Sequence, residues 1–143
     1  MRVLLFVALA LYCADAHTQS YKCPAENAGI RLTNAQVRIG PQDTAHALHG
    51  DVNQVREGTD VRYNLPDGVP RWLVCEYGGK RVEGSAISAP QTIAARETRI
   101  PLDALVNACD LVIRKHVIRG KEDTVWTAAA TCEQRKPPPP DMM

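Results

Sequence analysis

The chain has 143 residues, with 17 Lys and Arg against 16 Asp and Glu, and 45% of its residues are hydrophobic. That balance argues against a dedicated nucleic-acid binder, whose footprint is a cationic surplus, and the length suits one compact domain over residues 17–135. Aromatics make up only 5% and there are five cysteines, so the core must rest on aliphatic side chains, alanine and covalent help.

Residues 1–16 are expected to stand apart from the fold. Met1-Arg2 is a short basic start, Val3 to Leu11 is an apolar run too short to span a bilayer, and Ala14-Asp15-Ala16 flanks one arbitrary position with small residues. This is the pattern of a Sec-type signal peptide cleaved after Ala16, which predicts a periplasmic or secreted protein with no membrane span in its mature form. Acylation of Cys13 is disfavoured by the bulky Tyr12 before it. Cleavage removes Cys13 and leaves Cys23, Cys75, Cys109 and Cys132. An even set in an exported chain predicts two disulfides, and widely spread cysteines with no C-x-x-C pair argue against zinc.

Gly29 to Gly40 (GIRLTNAQVRIG) alternates apolar and polar residues around a Thr-Asn break, which predicts two short strands or one bulged strand. Pro41 to Asp60 is polar and without sustained period, and reads as a loop with at most a short strand. Val61 to Tyr63 is a strand ended by the turn residues Pro66-Asp67-Gly68. Arg71 to Tyr77 (RWLVCEY) is apolar on both alternating faces and is the best candidate for a central strand. Gly78-Gly79 then predicts a hairpin running to about Ser85, with Glu76 opposite Arg81.

Gly84 to Ala95 is Ala-, Ser- and Pro-rich and reads as a connection. Thr98 to Leu102 is a strand, and Asp103 to Ala108 is one helical turn at most. Asp110 to Ile118 and Val125 to Cys132 flank Arg119-Gly120-Lys121-Glu122, where Gly120 fits a two-residue type II′ turn. That register makes paired residue numbers total 241. Cys109, Leu111, Ile113 and Val117 then share a buried face with Trp126, Ala128, Ala130 and Cys132, while Arg114, His116, Thr127 and Thr131 stay wet. Residues 136–143 hold four consecutive prolines and are expected to be disordered or extended.

The same register sets Cys109 opposite Cys132 and leaves Cys23 for Cys75. Loop-closure entropy separates this pairing from Cys23–Cys132 with Cys75–Cys109 by only about 1 kcal/mol, too little to choose. Strand geometry decides. A two-residue turn makes 109/132 a hydrogen-bonded pair, an awkward place for a bridge, so a longer turn with shifted register stays open.

Tyr21-Lys22-Cys23-Pro24, Trp72-Leu73-Val74-Cys75-Glu76-Tyr77, Ile100-Pro101-Leu102 before Cys109, and a closing Cys132 together resemble an uncharacterised family of small exported Gram-negative proteins. Its pattern is an early Cys-Pro, a W-x-x-C-x-Y strand, a Leu-Pro-like segment before a third cysteine, and a last cysteine near the end. The resemblance spans most of the mature chain and implies structure without a known activity. The connection between Arg81 and Arg99 is longer here than in that pattern.

Candidate chemistry is sparse. His46 and His49 lie three apart near Asp43 and Asp51, but the segment is weakly helical, Gly50 ends it and no H-E-x-x-H is present, so both read as solvated. Ser85 lacks the second glycine of a nucleophile elbow. Glu76, Glu83, Glu97, Asp103 and Asp110 are scattered, and no cofactor motif appears. The basic residues Arg96, Arg99, Arg114, Lys115, Arg119 and Lys121 are interleaved with acids, against nucleic acid as a partner. Trp72 and Trp126 fall on apolar faces and read as packing residues.

These features point to a non-enzymatic, disulfide-bonded β domain of the periplasm that binds another protein by loops or an edge strand. Its sharpest form is an inhibitor or immunity protein against a toxin or cell-wall hydrolase. A small envelope enzyme or a structural envelope protein is the competing expectation.

Overall fold

A computed structural model describes residues 18–79, 96–118, 120 and 123–135. The signal-peptide segment, Arg81, Glu83, the whole 84–95 connection with Ser85, Lys121 and the proline tail lie outside them. The described residues form ten strands in two antiparallel sheets, with no helix. Hence no helix among them is long and apolar enough to cross a membrane.

The first sheet runs β1 (Thr18–Lys22), β10 (Asp123–Glu133), β9 (Ala108–Ile118), β6 (Gly58–Asn64), β5 (Asp51–Val55). The second runs β2 (Glu26–Asn27), β3 (Ile30–Ile39), β7 (Arg71–Tyr77), β8 (Arg96–Pro101), with β4 (His46–Ala47) also on β3. Between the sheets, Val61, Tyr63, Leu111, Ile113, Ala128 and Ala130 meet Leu32, Ala35, Val37, Leu73 and Tyr77. Each large aliphatic side chain buried there contributes about 1.5–3 kcal/mol.

Both bridges form as expected. Cys109–Cys132 lies within the first sheet, between β9 and β10, and Cys23–Cys75 joins the segment after β1 to β7 of the second sheet. The residues of the W-x-x-C-x-Y stretch each have a structural task. Trp72 Nε1 donates to Gly40 O (2.9 Å), Cys75 bridges to Cys23, and Tyr77 Oη donates to Pro24 O (2.8 Å).

The β9–β10 register matches expectation from Ala108↔Glu133 to Ile118↔Asp123. Arg119, Lys121 and Glu122 of the expected turn lie outside the described residues, and Gly120 has φ 83°. The two cysteine Cα atoms are 4.1 Å apart, the spacing of a non-hydrogen-bonded pair. In keeping with that phase, Lys115 N–H points away from β10 and donates to Glu57 O (2.7 Å). The strand phase thus keeps the register and relieves the site of the bridge. Val117 is 64% exposed rather than buried, because β6 accompanies β9 only as far as Arg114 and the hairpin runs on beyond it.

Two further expectations are corrected. Pro41 to Asp60 is not a loop, since it supplies β4, β5 and the start of β6. The Arg71–Ser85 hairpin does not form, because β3 and β8 occupy the two edges of β7 and Glu76 stands opposite Glu97 rather than Arg81. Residues 103–107 stay within the expected limit of one helical turn, making a turn in which Leu105 N–H donates to Asp103 Oδ1 (2.8 Å) and Val106 N–H to Asp103 O (3.3 Å). Gly29 to Gly40 resolves as one strand whose register shifts between Leu32 and Asn34, the bulged alternative. Ahead of it, Ala28 (φ 50°) and Gly29 (φ 79°) make the tight turn from β2, both at positive φ.

Candidate binding surface

Sheet edges are where a β domain presents unpaired main chain, and they differ in how well they are guarded. At one edge of the second sheet, β8 carries Arg96, Arg99 and a terminal Pro101, all of which discourage pairing. In the first sheet β1 carries Lys22. The opposite edge, β5 (DVNQV), has neither proline nor cation within the strand.

The β5–β6 hairpin sets which groups are open. Its two-residue turn, Arg56-Glu57, leaves Val55↔Gly58, Asn53↔Asp60 and Asp51↔Arg62 as the paired positions. Their main-chain bonds face β6, so the N–H and C=O of Val52 and Gln54 point out of the sheet. Two glycines allow the hairpin to sit so close. A Cβ on Gly58 would lie 1.9 Å from Ile113 O, and one on Gly50 would lie 2.7 Å from Val61 Cγ1.

Beside this edge a shallow open groove crosses β5, β6 and β9, floored by Asn53, Asp60, Arg62, Asp110 and Val112, with Asp51 at its rim. Arg62 Nε pairs with Asp110 Oδ1 (3.1 Å) and Arg114 Nη1 with Asp60 Oδ1 (2.7 Å). Among the described residues Asp51 has no ion-pair partner, and it adds a carboxylate to the β5 side of the groove. Val112, 37% exposed, is the apolar patch between the two ion pairs.

A second polar group lies on the outward side of the other sheet. Asn34, Gln36 and Glu76 are 1%, 5% and 1% exposed. Asn34 Nδ2 donates to Glu76 Oε2 (3.2 Å), Gln36 Nε2 to Glu76 Oε1 (2.6 Å), and Arg38 Nη2 reaches both Glu76 Oε1 and Glu97 Oε1 at 3.4 Å. This brings two of the scattered carboxylates onto adjacent strands. Glu76 is closed off from solvent, however, and in this conformation cannot touch a substrate.

The remaining candidates are dispersed. His46 and His49 are exposed, on β4 and just after it, and no three His, Cys, Asp or Glu side chains among the described residues are grouped to hold a metal. Asp103 accepts from Gln19 Nε2 (2.7 Å), and Asp110 belongs to the groove. Trp126 packs on the core with Lys115 Nζ 6.0 Å from its ring, while Trp72 lies on the outward side of the second sheet. Sequence reasoning missed β5 and the Asn34–Gln36 pair. The signal for the latter was the alternation Asn34, Gln36, Arg38, which sets three polar side chains on one face of a strand. No family model, curated protein or solved structure matches the chain.

Proposed function

We propose that this chain is a periplasmic or secreted protein-binding module with no catalytic centre, which engages its partner by adding a partner strand to β5. The observation that carries this reading is the open β5 edge, with four main-chain groups of Val52 and Gln54 facing outward beside an anionic rim. A partner segment in extended conformation with a Lys or Arg at alternate positions fits it: main-chain bonds supply affinity, and Asp51 supplies selection. The two disulfides suit an oxidising compartment. The narrower form of the proposal is an inhibitor or immunity protein whose target, a toxin or cell-wall hydrolase, shares that compartment.

Gln54→Pro removes one outward N–H and leaves the β5–β6 main-chain bonds intact, giving up only the donation of Thr59 Oγ1 to Gln54 Oε1 (3.0 Å), so it blocks strand addition without unfolding the hairpin. Protein pulled down from envelope extract by the wild type should be absent with Gln54→Pro, and the Val52 and Gln54 amides should exchange more slowly in the complex. Equal capture by both forms, or a wild type that occupies this edge by dimerising with itself, refutes the proposal.

A further inference from the structure

The buried group on the second sheet has more acceptors than donors. Glu76 offers two oxygens, which take one N–H from each of Asn34 and Gln36 and share Arg38 with Glu97. The amide oxygens of the same two residues, Asn34 Oδ1 and Gln36 Oε1, are closed to solvent and have no hydrogen-bond partner. Each such orphan destabilises the fold, because it has given up water without gaining a donor. Turning the Gln36 amide about its end sets its oxygen, in place of its nitrogen, about 2.6 Å from Glu76 Oε1, a contact between two oxygens that needs a proton between them. What the group lacks is one donor at its centre.

We propose that Asn34, Gln36 and Glu76 form a buried proton-binding site, in which the folded protein holds Glu76 as the carboxylic acid with its O–H donated to one of the two amide oxygens. The bound ligand is a single proton, taken from water when the sheet closes. Ionisation breaks that O–H bond, returns the proton to solvent and leaves an anion against the amide oxygen that had accepted it.

The charged groups that face Glu76 from the neighbouring strands are Arg38 of β3 and Glu97 and Arg99 of β8. Arg38 is shared with Glu97, and Arg99 Nη2 lies 3.4 Å from Glu97 Oε2, so the cations are spent mainly on the more exposed carboxylate. Burial pushes the Glu76 carboxyl above the usual range and the Glu97 charge adds to this, while the bonds from Asn34 and Gln36 and the charge of Arg38 act in the other direction. The sign for stability follows. A carboxyl raised in the folded state stabilises the fold fully below its unfolded value, about 4.3 for glutamate, and that contribution is lost as pH rises through the folded value. The second sheet therefore loosens toward alkaline pH, opposite to acid denaturation driven by ion-paired carboxylates.

The test is a carbon-13 titration of the Glu76 side-chain carboxyl in the folded protein, run beside thermal melts of the wild type and Glu76→Gln. The expected result is an acid-form resonance that persists at pH values where free glutamate is ionised. The variant, which keeps a permanent donor, should melt close to the wild type in acid and increasingly above it as pH rises. A Glu76 resonance that titrates at or below the ordinary value, as for an anion with a buried water on the amide oxygens, overturns the proposal. So does a melting gap that narrows with rising pH. If the variant fails to fold, the titration alone decides.

Discussion

The two disulfides close loops of different size and join different parts, which makes their removal a graded test. Cys23–Cys75 spans 52 residues and ties one sheet to the other, whereas Cys109–Cys132 spans 23 and lies inside a ladder that eleven residue pairs already hold in register. Loop-closure entropy assigns about 4.1 kcal/mol to the longer and about 3.4 kcal/mol to the shorter. The shorter should deliver less than this, because a β9–β10 hairpin persisting in the unfolded chain already restrains its ends. With an unfolding entropy of about 2.1 cal/mol/K per residue, Cys23→Ala/Cys75→Ala should melt about 15 °C below the wild type. Cys109→Ala/Cys132→Ala should fall by about 10 °C or less on the same scale. Thermal unfolding followed by far-UV circular dichroism reads both, with non-reducing peptide mapping to confirm the bridge left in each. A larger loss from the hairpin pair than from the inter-sheet pair would refute the reasoning from loop size and sheet connectivity.

Arg71 is 3% exposed and its guanidinium donates to the carbonyls of Val69 (3.2 Å), Pro66 (2.7 Å) and Val106. Arg71→Met should cost on the order of 3 kcal/mol by leaving these carbonyls without their donor, read as a lower denaturant midpoint. An unchanged midpoint would show that water serves them as well. Burial pushes the Tyr63 phenol up to about 12, against a hydrogen bond to the Val37 backbone that acts the other way. Its contribution is present below the unfolded value of about 10 and is lost as pH rises through the folded one. The wild type should thus lose stability between these values faster than Tyr63→Phe, and parallel loss would exclude Tyr63 as the cause.

How far the fold could be read from the chain depended on which residues face the core. On β9 and β10 the inward series Cys109, Leu111, Ile113 and Ala128, Ala130, Cys132 admits one register, since a slip by one would expose the whole set. On β5 nothing plays that part: only Val52 and Val55 are half-buried, and Arg56-Glu57 carries no turn signal. An edge strand gains its place from neighbours far away in sequence, which local pattern does not report. β7 failed differently. Gly78-Gly79 favours a local hairpin, but partners β3 and β8 both come from beyond it, so Glu76 faces Glu97 and binds Asn34 and Gln36. The open β5 edge was therefore invisible in the sequence, while the bridges that stiffen the domain were legible.

In the first sheet the strand nearest the start of the chain lies against the one nearest its end, with Thr18 paired to Glu133 and Lys22 to Ala129. A ladder between residues more than a hundred positions apart cannot form until nearly the whole chain is present, and its loop-closure cost is met late. A polypeptide synthesised amino end first must hold β1 unpartnered until β10 arrives. During that interval Cys23, exposed first, can wait for Cys75 or be captured by another thiol. Slow maturation follows from this topology, as does tolerance of a short linker joining residues 18 and 135 with new ends opened elsewhere.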